Sequence, residues 1–289
     1  MTSQSPEIVI PFLKWAGGKR WFCEHHLSLL PKFSGRYIEP FAGSAALFFS
    51  VKPDRALLTD LNAELVITYR AVRDEPRKVR ELLELHHQRH DKEYYYDTRS
   101  AKPINPTELA AWFIYLNRTC WNGLYRVNLK NEFNVPIGTK TKVVLDTDNF
   151  DAVSEALKRA DIWQSDFENT IDMANEGDFV FVDPPYTVKH NLNGFIKYND
   201  KIFSWADQVR LRDAIARATE RGALVMVLNA NHQSIRELYA GLGVQQPLTR
   251  ASVLAADAAC RAQVEELVVR CWQQPETLPS PAPDHMAAN

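Results

Sequence analysis

Four short apolar runs, each ending on polar residues where the chain must turn, constrain this fold more than any other feature of the sequence. Arg36-Tyr37-Ile38 runs into Glu39-Pro40-Phe41-Ala42-Gly43-Ser44, and Ala56-Leu57-Leu58-Thr59 ends at Asp60. Phe179-Val180-Phe181-Val182 ends at Asp183-Pro184-Pro185-Tyr186, and Ala223 to Leu228 ends at Asn229-Ala230-Asn231. None alternates apolar with polar, so both faces of each strand must be covered, the pattern of a parallel sheet between helices. Helical stretches between the runs predict an α/β fold. Ligands of such sheets bind beyond the carboxyl ends of the strands, so the four polar ends are expected on one functional rim.

Between the second and third runs the pattern changes. Glu64 to Arg89 reads as a helix, and Leu109 to Arg118 as another opened by Pro106-Thr107-Glu108. An irregular Asn- and Gly-bearing stretch follows from Thr119 to Lys142. A loop this long inside a domain is usually functional. The expected organisation is a sheet domain of residues 1–64 and 147–273, an inserted lobe over 65–146, and a disordered Pro-rich tail over 274–289. Ser204-Trp205-Ala206-Asp207 has capping-box spacing and opens a helix through Arg217, while Gln263 to Trp272 can form a further strand.

Composition enters as a set of exclusions. With 45% hydrophobic and 24% charged residues the chain is globular, which rules out wholesale disorder. No apolar run reaches the roughly 20 residues of a membrane helix, and the polar Met1 to Glu7 is not a signal peptide. Cys23, Cys120, Cys260 and Cys271 lack metal-ligand spacing, so neither a zinc site nor a disulfide framework is expected, in keeping with a cytoplasmic protein. The net charge of -2 argues on average against a nucleic-acid partner, but the average conceals a local excess. From Arg118 to Lys142, five cations (Arg118, Arg126, Lys130, Lys140, Lys142) face Glu132 alone and are interleaved with Trp121, Tyr125 and Phe133. That stretch suits phosphate contact combined with base stacking or wedging.

Asp183-Pro184-Pro185-Tyr186 carries the sharpest chemistry. Its prolines stiffen the loop and remove backbone donors, leaving one carboxylate, acceptor carbonyls and one aromatic face in fixed relation. Such a site suits a planar group bearing an amine. Pro11 to Arg20 contains Lys14-Trp15-Ala16-Gly17-Gly18-Lys19, in which the glycines admit close backbone approach and Lys19 supplies a cation, without the spacing of a Walker A loop. Glu39 to Ala45 is a strand-to-helix turn with one glycine, and Asp60 stands where α/β folds place a carboxylate on ribose hydroxyls.

In their order, these motifs resemble the Dam-type (D12 class) DNA adenine methyltransferase family, which carries F-L-K-W-A-G-G-K, E-P-F-x-G, D-x-N and D-P-P-Y. The insert matches too, through Tyr115-Leu116-Asn117-Arg118, Trp121-Asn122-Gly123-Leu124-Tyr125-Arg126 and Glu132 to Gly138, so the resemblance spans about residues 11 to 270. It implies a Rossmann-like S-adenosylmethionine-dependent methyltransferase sheet with an inserted, mainly helical DNA-recognition lobe. The implied activity is site-specific transfer of a methyl group from S-adenosyl-L-methionine, with no metal, to the exocyclic N6 amine of an adenine flipped out of double-stranded DNA. The implied catalytic residues are Asp183, Pro184 and Tyr186. The implied cofactor residues are Trp15, Lys19, Glu39, Phe41, Gly43, Asp60 and Asp183, with Lys19 facing the methionine carboxylate and Asp60 the ribose. The implied DNA-binding residues are Lys14, Trp121, Asn122, Leu124, Arg126, Asn134 and Pro136, with Trp121 inserted into the duplex and Arg126 suited to guanine.

GATC is the first expectation for the recognition sequence, and a monomer for the assembly. Thr139 stands where some GATC-specific relatives carry arginine, Trp121 replaces a tyrosine, and Val253 to Ala259, after Arg250-Ala251-Ser252, lacks the family's small polar residues and glycine; these departures bear on recognition, not on chemistry. An RNA adenine methyltransferase and an inactive DNA-binding module are the competing readings. His86 and His90 have metal-ligand spacing but no partnering glutamate, so a surface helix face is expected there, and Tyr94-Tyr95-Tyr96 is expected to pack the insert.

Overall fold

The four expected strands lie side by side in the parallel part of one sheet. A computed structural model describes residues 9–128, 130, 132–188, 203–251 and 263–272. The expected tail over 274–289, the Val253 to Ala259 departure, Cys260 and the N-terminal Met1 to Glu7 lie outside the described residues. Among the described residues, seven strands are β1 (Tyr37–Glu39), β2 (Ala56–Asp60), β3 (Ala160–Gln164), β4 (Phe179–Val182), β5 (Leu224–Ala230), β6 (Val244–Ala251) and β7 (Gln263–Cys271). They form one sheet in the order β3-β2-β1-β4-β5-β7-β6. β1 to β5 run parallel, and β7 inserts antiparallel between β5 and β6.

The helices in chain order are α1 (Arg20–His25), α2 (Ala46–Val51), α3 (Ala63–Asp74), α4 (Pro76–Arg89), α5 (Lys92–Ser100), α6 (Pro106–Thr119), α7 (Phe150–Leu157), α8 (Phe167–Asp172), α9 (Trp205–Glu220) and α10 (Gln233–Leu238). The absence of alternation in the central strands has a direct cause. Phe179 and Phe181 point into one apolar cluster, with α2, α3, α6 and α7, while Val180 and Val182 point into the other, with α8, α9 and α10. Helices that follow β1 and β2 thus cover one face, and those that follow β3, β4 and β5 cover the other. The crossovers change face between β1 and β4, which opens a crevice at the carboxyl ends of those two strands. Glu39 and Asp183 stand there.

Local chemistry sets several boundaries. The helix expected over Glu64 to Arg89 is two helices, α3 and α4, because Pro76 starts a new helix and holds Glu75 out of helical geometry at φ -133°. Asn62 and Asn105 cap α3 and α6 by accepting from the backbone of Leu65 and of Thr107 and Glu108. The capping box at Ser204 is present, with Ser204 N–H donating to Asp207 at 2.9 Å and Asp207 N–H donating to the Ser204 hydroxyl at 3.2 Å. β3 and β6 are the sheet edges, and neither carries a continuous apolar run. In β3 only Ala160 and Ile162 are buried, and β6 accommodates Pro247 because an edge strand has no ladder bond to lose there.

His86 on α4 and His90 at its C-terminal cap are not the solvated face expected of them, whereas His87 is exposed. His86 stacks on Tyr115 with centroids 4.7 Å apart and shares a hydrogen bond with the Tyr94 hydroxyl, while His90 bonds the Tyr115 hydroxyl. Burial pushes the His86 imidazole down to about 4, so it packs as a neutral ring. Tyr95 is fully buried and donates to the Val135 carbonyl at 2.9 Å, tying α5 to the irregular stretch.

Candidate functional site

Asp183 leaves β4 into the crevice, and Pro184 behind it is buried. Lys19, itself only 3% exposed, brings its ammonium to 2.8 Å from Asp183 Oδ1 and 3.7 Å from Glu266 Oε2, and donates to the Gly17 carbonyl at 2.6 Å. The Asp183 contact is a close, charge-assisted pair in which Lys19 is the donor, so the Asp183 acceptor is buried beside a cation. Tyr186 is half-buried, with its hydroxyl donating to Glu266 Oε2 at 2.7 Å and the Lys19 ammonium 5.0 Å from its ring centroid. Burial pushes the Asp183 carboxyl up to about 6; the Lys19 cation opposes that rise and the Glu266 charge adds to it. Lys19, Glu39, Asp183 and Tyr186, which lie far apart in the sequence, thus converge on one crevice.

Glu39 ends β1 at 3% exposure and accepts from the Tyr37 hydroxyl at 2.8 Å; burial raises its pKa well above the ordinary carboxylate range. Gly43 follows in the left-handed region at φ +45°, where glycine is the least strained residue. Its N–H donates to Asp60 Oδ2 at 3.1 Å and its carbonyl accepts from Tyr69 at 2.7 Å. Asn62 N–H donates to Asp60 Oδ1 at 2.9 Å, so backbone donors hold both carboxylate oxygens at the end of β2. A Cβ on Gly43 would lie 2.8 Å from Trp15 Cδ1 and 2.9 Å from Nε1. Trp15 in turn stacks with Tyr125 at 6.0 Å and Phe113 at 6.4 Å. Phe41 stacks on Phe167 at 5.4 Å. The N-terminal loop and the ends of β1 and β2 therefore form one cradle beside Asp183.

The irregular stretch folds back on itself through backbone bridges between Cys120 and Ile137 and between Val127 and Phe133. Trp121 is 53% exposed, with its N–H donating to the Pro136 carbonyl at 2.9 Å. Asn122 beside it is held at φ 55°, left-handed for a residue with a side chain, and Gly123 continues at φ +63°. Arg126 is exposed and donates to the Asn134 amide oxygen at 2.9 Å, and Leu124 is half-buried. Lys14 is exposed and joins this surface, since a Cβ on Gly123 would lie 2.5 Å from Lys14 Cδ.

Two expectations for this stretch are corrected. Arg118 is not a phosphate-facing cation. It is buried, paired in two-pronged fashion with Asp148 at 2.6 and 2.7 Å, and donates to the carbonyls of Val143 and Phe12. Tyr125 and Phe133 are not surface wedges either. Phe133 is buried and Tyr125 packs between Trp15, Phe113 and Phe133. Lys142 is exposed but paired with Asp146 at 2.5 Å, and Arg126, Lys130, Lys140 and Lys14 are the other exposed cations of this face.

Two residues with contacts at these surfaces carry no signal in the sequence. Glu266 is one of three charges in β7, with Glu265 and Arg270, and only the three-dimensional structure brings it to Tyr186. Asn117 lies within the Tyr115-Leu116-Asn117-Arg118 motif. Its side-chain oxygen accepts from Lys14 N–H at 2.9 Å, and its amide donates to the Lys14 carbonyl at 2.7 Å and the Gly123 carbonyl at 3.4 Å. It thereby joins the N-terminal loop to the Trp121 turn.

The sequence is similar to known DNA adenine methyltransferases over most of its length. The sequence model of the D12 class N6 adenine-specific DNA methyltransferases matches residues 15–253. A type II methyltransferase of Lactococcus lactis subsp. cremoris is 38% identical over 269 residues, covering 90% of this chain and 94% of the relative. The DNA adenine methylase of Vibrio cholerae is 31% identical over 270 residues, covering 89% and 94%. A DNA N-6-adenine-methyltransferase of Escherichia phage P1 is 35% identical over 246 residues, covering 83% of this chain and 32% of the longer phage protein.

Proposed function

The chain belongs to the D12 class N6 adenine-specific DNA methyltransferases, and on that premise we propose that Asp183, Pro184 and Tyr186 methylate an adenine swung out of double-stranded DNA. The observation that carries this reading is the buried Asp183 carboxylate oxygen, held by the Lys19 ammonium at 2.8 Å on a proline-stiffened loop at the crevice. An adenine amine in a duplex is paired and stacked, so it can reach such an oxygen only after leaving the helix. Asp183 and the Pro184 carbonyl then accept from the amine, and Tyr186 supports the base plane. Holding the amine by two acceptors orients its nitrogen, and positioning supplies most of the acceleration for so weak a nucleophile.

S-adenosylmethionine, when bound, supplies a methyl group activated on a sulfonium. The cradle fits it: Asp60 is anchored by two backbone donors yet half-exposed, which suits ribose hydroxyls, and Gly43 opens room beside the Trp15 indole. Phe41 supplies an aromatic wall and Glu39 the floor. We assign Lys19 to Asp183 as its counter-ion in place of the methionine carboxylate, because its ammonium is already engaged by two buried acids. Trp121, raised on the left-handed Asn122, enters the duplex, while Lys14, Leu124, Arg126, Asn134 and Pro136 meet base edges and backbone. Inserted residues 65–146 act as the recognition lobe, and the enzyme works as a monomer.

GATC is the proposed target. The test is incubation with labelled S-adenosylmethionine and unmethylated duplex DNA, RNA or protein, followed by a sequencing map of methylated adenines. Methyl groups on the adenine of GATC support the reading; a different consensus retires GATC, and labelled RNA with unlabelled DNA overturns the duplex substrate.

A further inference from the structure

Glu266 lies within β7, opposite Ala230 of β5 and Leu248 of β6, and is 1% exposed. Its β7 neighbours Leu267, Val268 and Val269 are apolar and fully buried. An unpaired carboxylate in such a place costs several kcal/mol, so the fold gains nothing from the charge alone. Two of its partners stand in the crevice: Glu266 Oε2 accepts from the Tyr186 hydroxyl at 2.7 Å and lies 3.7 Å from the Lys19 ammonium, which also touches Asp183.

We infer that Glu266 is a positioning residue of the methyl-transfer site, holding the axis of the Tyr186 ring through its hydroxyl and sharing Lys19 with Asp183. This rests on the reading of Asp183 and Tyr186 as the site that receives the base. The tyrosine hydroxyl lies on the long axis of the ring, so an acceptor fixed in a sheet strand sets where that axis points. The strand is held on both sides by β5 and β6, which makes it a stiffer anchor than a loop residue could be. The shared ammonium links the ring and the acceptor in one cluster: Lys19 is in contact with Asp183, near Glu266 and over the Tyr186 ring. The charged and titratable groups facing this cluster are Lys19 from the N-terminal loop, Tyr37 and Glu39 from β1, Asp183 and Tyr186 from the loop after β4, and Glu266 from β7.

The test compares wild type, Glu266→Gln, Glu266→Ala, Tyr186→Phe and the Glu266→Ala/Tyr186→Phe double variant on adenine-unmethylated genomic DNA. The readouts are kcat, the dissociation constant of S-adenosylhomocysteine and the pH profile of kcat/KM. Glu266→Ala and Tyr186→Phe should each lower kcat about ten- to a hundredfold, the range for a lost hydrogen bond to a charged group. The double variant should be no slower than the worse single one, because both remove the same bond. Affinity for S-adenosylhomocysteine should stay within about threefold. Glu266→Gln keeps an acceptor for the hydroxyl but not the charge, so it should lose less activity than Glu266→Ala. Its acid limb should move to lower pH, since the charge opposing ionisation of Asp183 is gone. Glu266→Ala as active as wild type, penalties that multiply in the double variant, or an unmoved acid limb in Glu266→Gln would each overturn the inference. A wild type that transfers no methyl group to DNA would instead overturn the reading on which it rests.

Discussion

Asp183→Asn should change stability in a pH-dependent way that the crevice geometry dictates. Burial, opposed by the Lys19 cation and reinforced by Glu266, lifts the Asp183 carboxyl from its ordinary 3.8 to about 6. The folded protein therefore holds this proton to higher pH than the unfolded chain. The resulting stabilisation is fully present below about pH 4 and is lost as pH rises through about 6. Two pH units of displacement correspond to about 3 kcal/mol. Asparagine keeps the shape and removes the titration, so the variant should gain about 2 kcal/mol on wild type between pH 4.5 and pH 8, the part of that span the window covers. At about 2 °C per kcal/mol for a chain of this size, the difference in Tm should grow by about 4 °C. Thermal melts of both proteins from pH 4.5 to 8 at fixed ionic strength measure it. A Tm difference that is constant with pH, or that shrinks as pH rises, would refute the idea that the acceptor is kept ionised against its surroundings. Activity should move the other way, because the carboxylate that costs stability is the one that receives the amine.

Other outcomes follow from single contacts. Gly43→Ala places a Cβ within 3 Å of the Trp15 indole at a left-handed φ; calorimetry should show affinity for S-adenosylhomocysteine down about tenfold, from roughly 1–2 kcal/mol of strain. Arg118→Met leaves Asp148 as a buried unpaired acid and should cost about 3–5 kcal/mol in denaturant melts, with the salt slope of DNA binding unchanged. Arg126→Ala should instead reduce that slope by about 1 if the side chain meets a phosphate, or relax one base position in the methylation map if it reads guanine. Trp121→Ala removes a 53% exposed ring, so melts should stay within about 0.5 kcal/mol while 2-aminopurine fluorescence at the target position loses its rise on binding.

The central sheet was legible because buried parallel strands write themselves as unbroken apolar runs: β1, β2, β4 and β5 read directly, each with its polar end. Edge strands do not. β3 shows the half-buried alternation of a sheet margin, and β6 contains Pro247, which reads as a break although an edge tolerates it. Pro76 divides α3 from α4 without disturbing the helical period on either side, so periodicity alone joins them. At the site, the carboxylates at strand ends were legible because topology brings every such end to one rim. Partnership was not. Arg118 and Arg126 look alike in sequence, yet one is sealed under Asp148 and the other faces solvent; likewise the aromatics Trp121 and Phe133 end on opposite sides of the surface. Glu266 gives no local sign at all, since a buried acid is distinguished from an exposed one only by what a distant strand places beside it.

The most direct measurement is mass spectrometry of nucleosides from unmethylated duplex DNA incubated with S-adenosylmethionine and the protein, beside Asp183→Ala. The account predicts N6-methyl-2′-deoxyadenosine with wild type and none with the variant, whose affinity for S-adenosylhomocysteine stays within about threefold because Asp60, Gly43 and Trp15 are untouched. Absence of the methylated nucleoside with wild type, or full activity in Asp183→Ala, would contradict it.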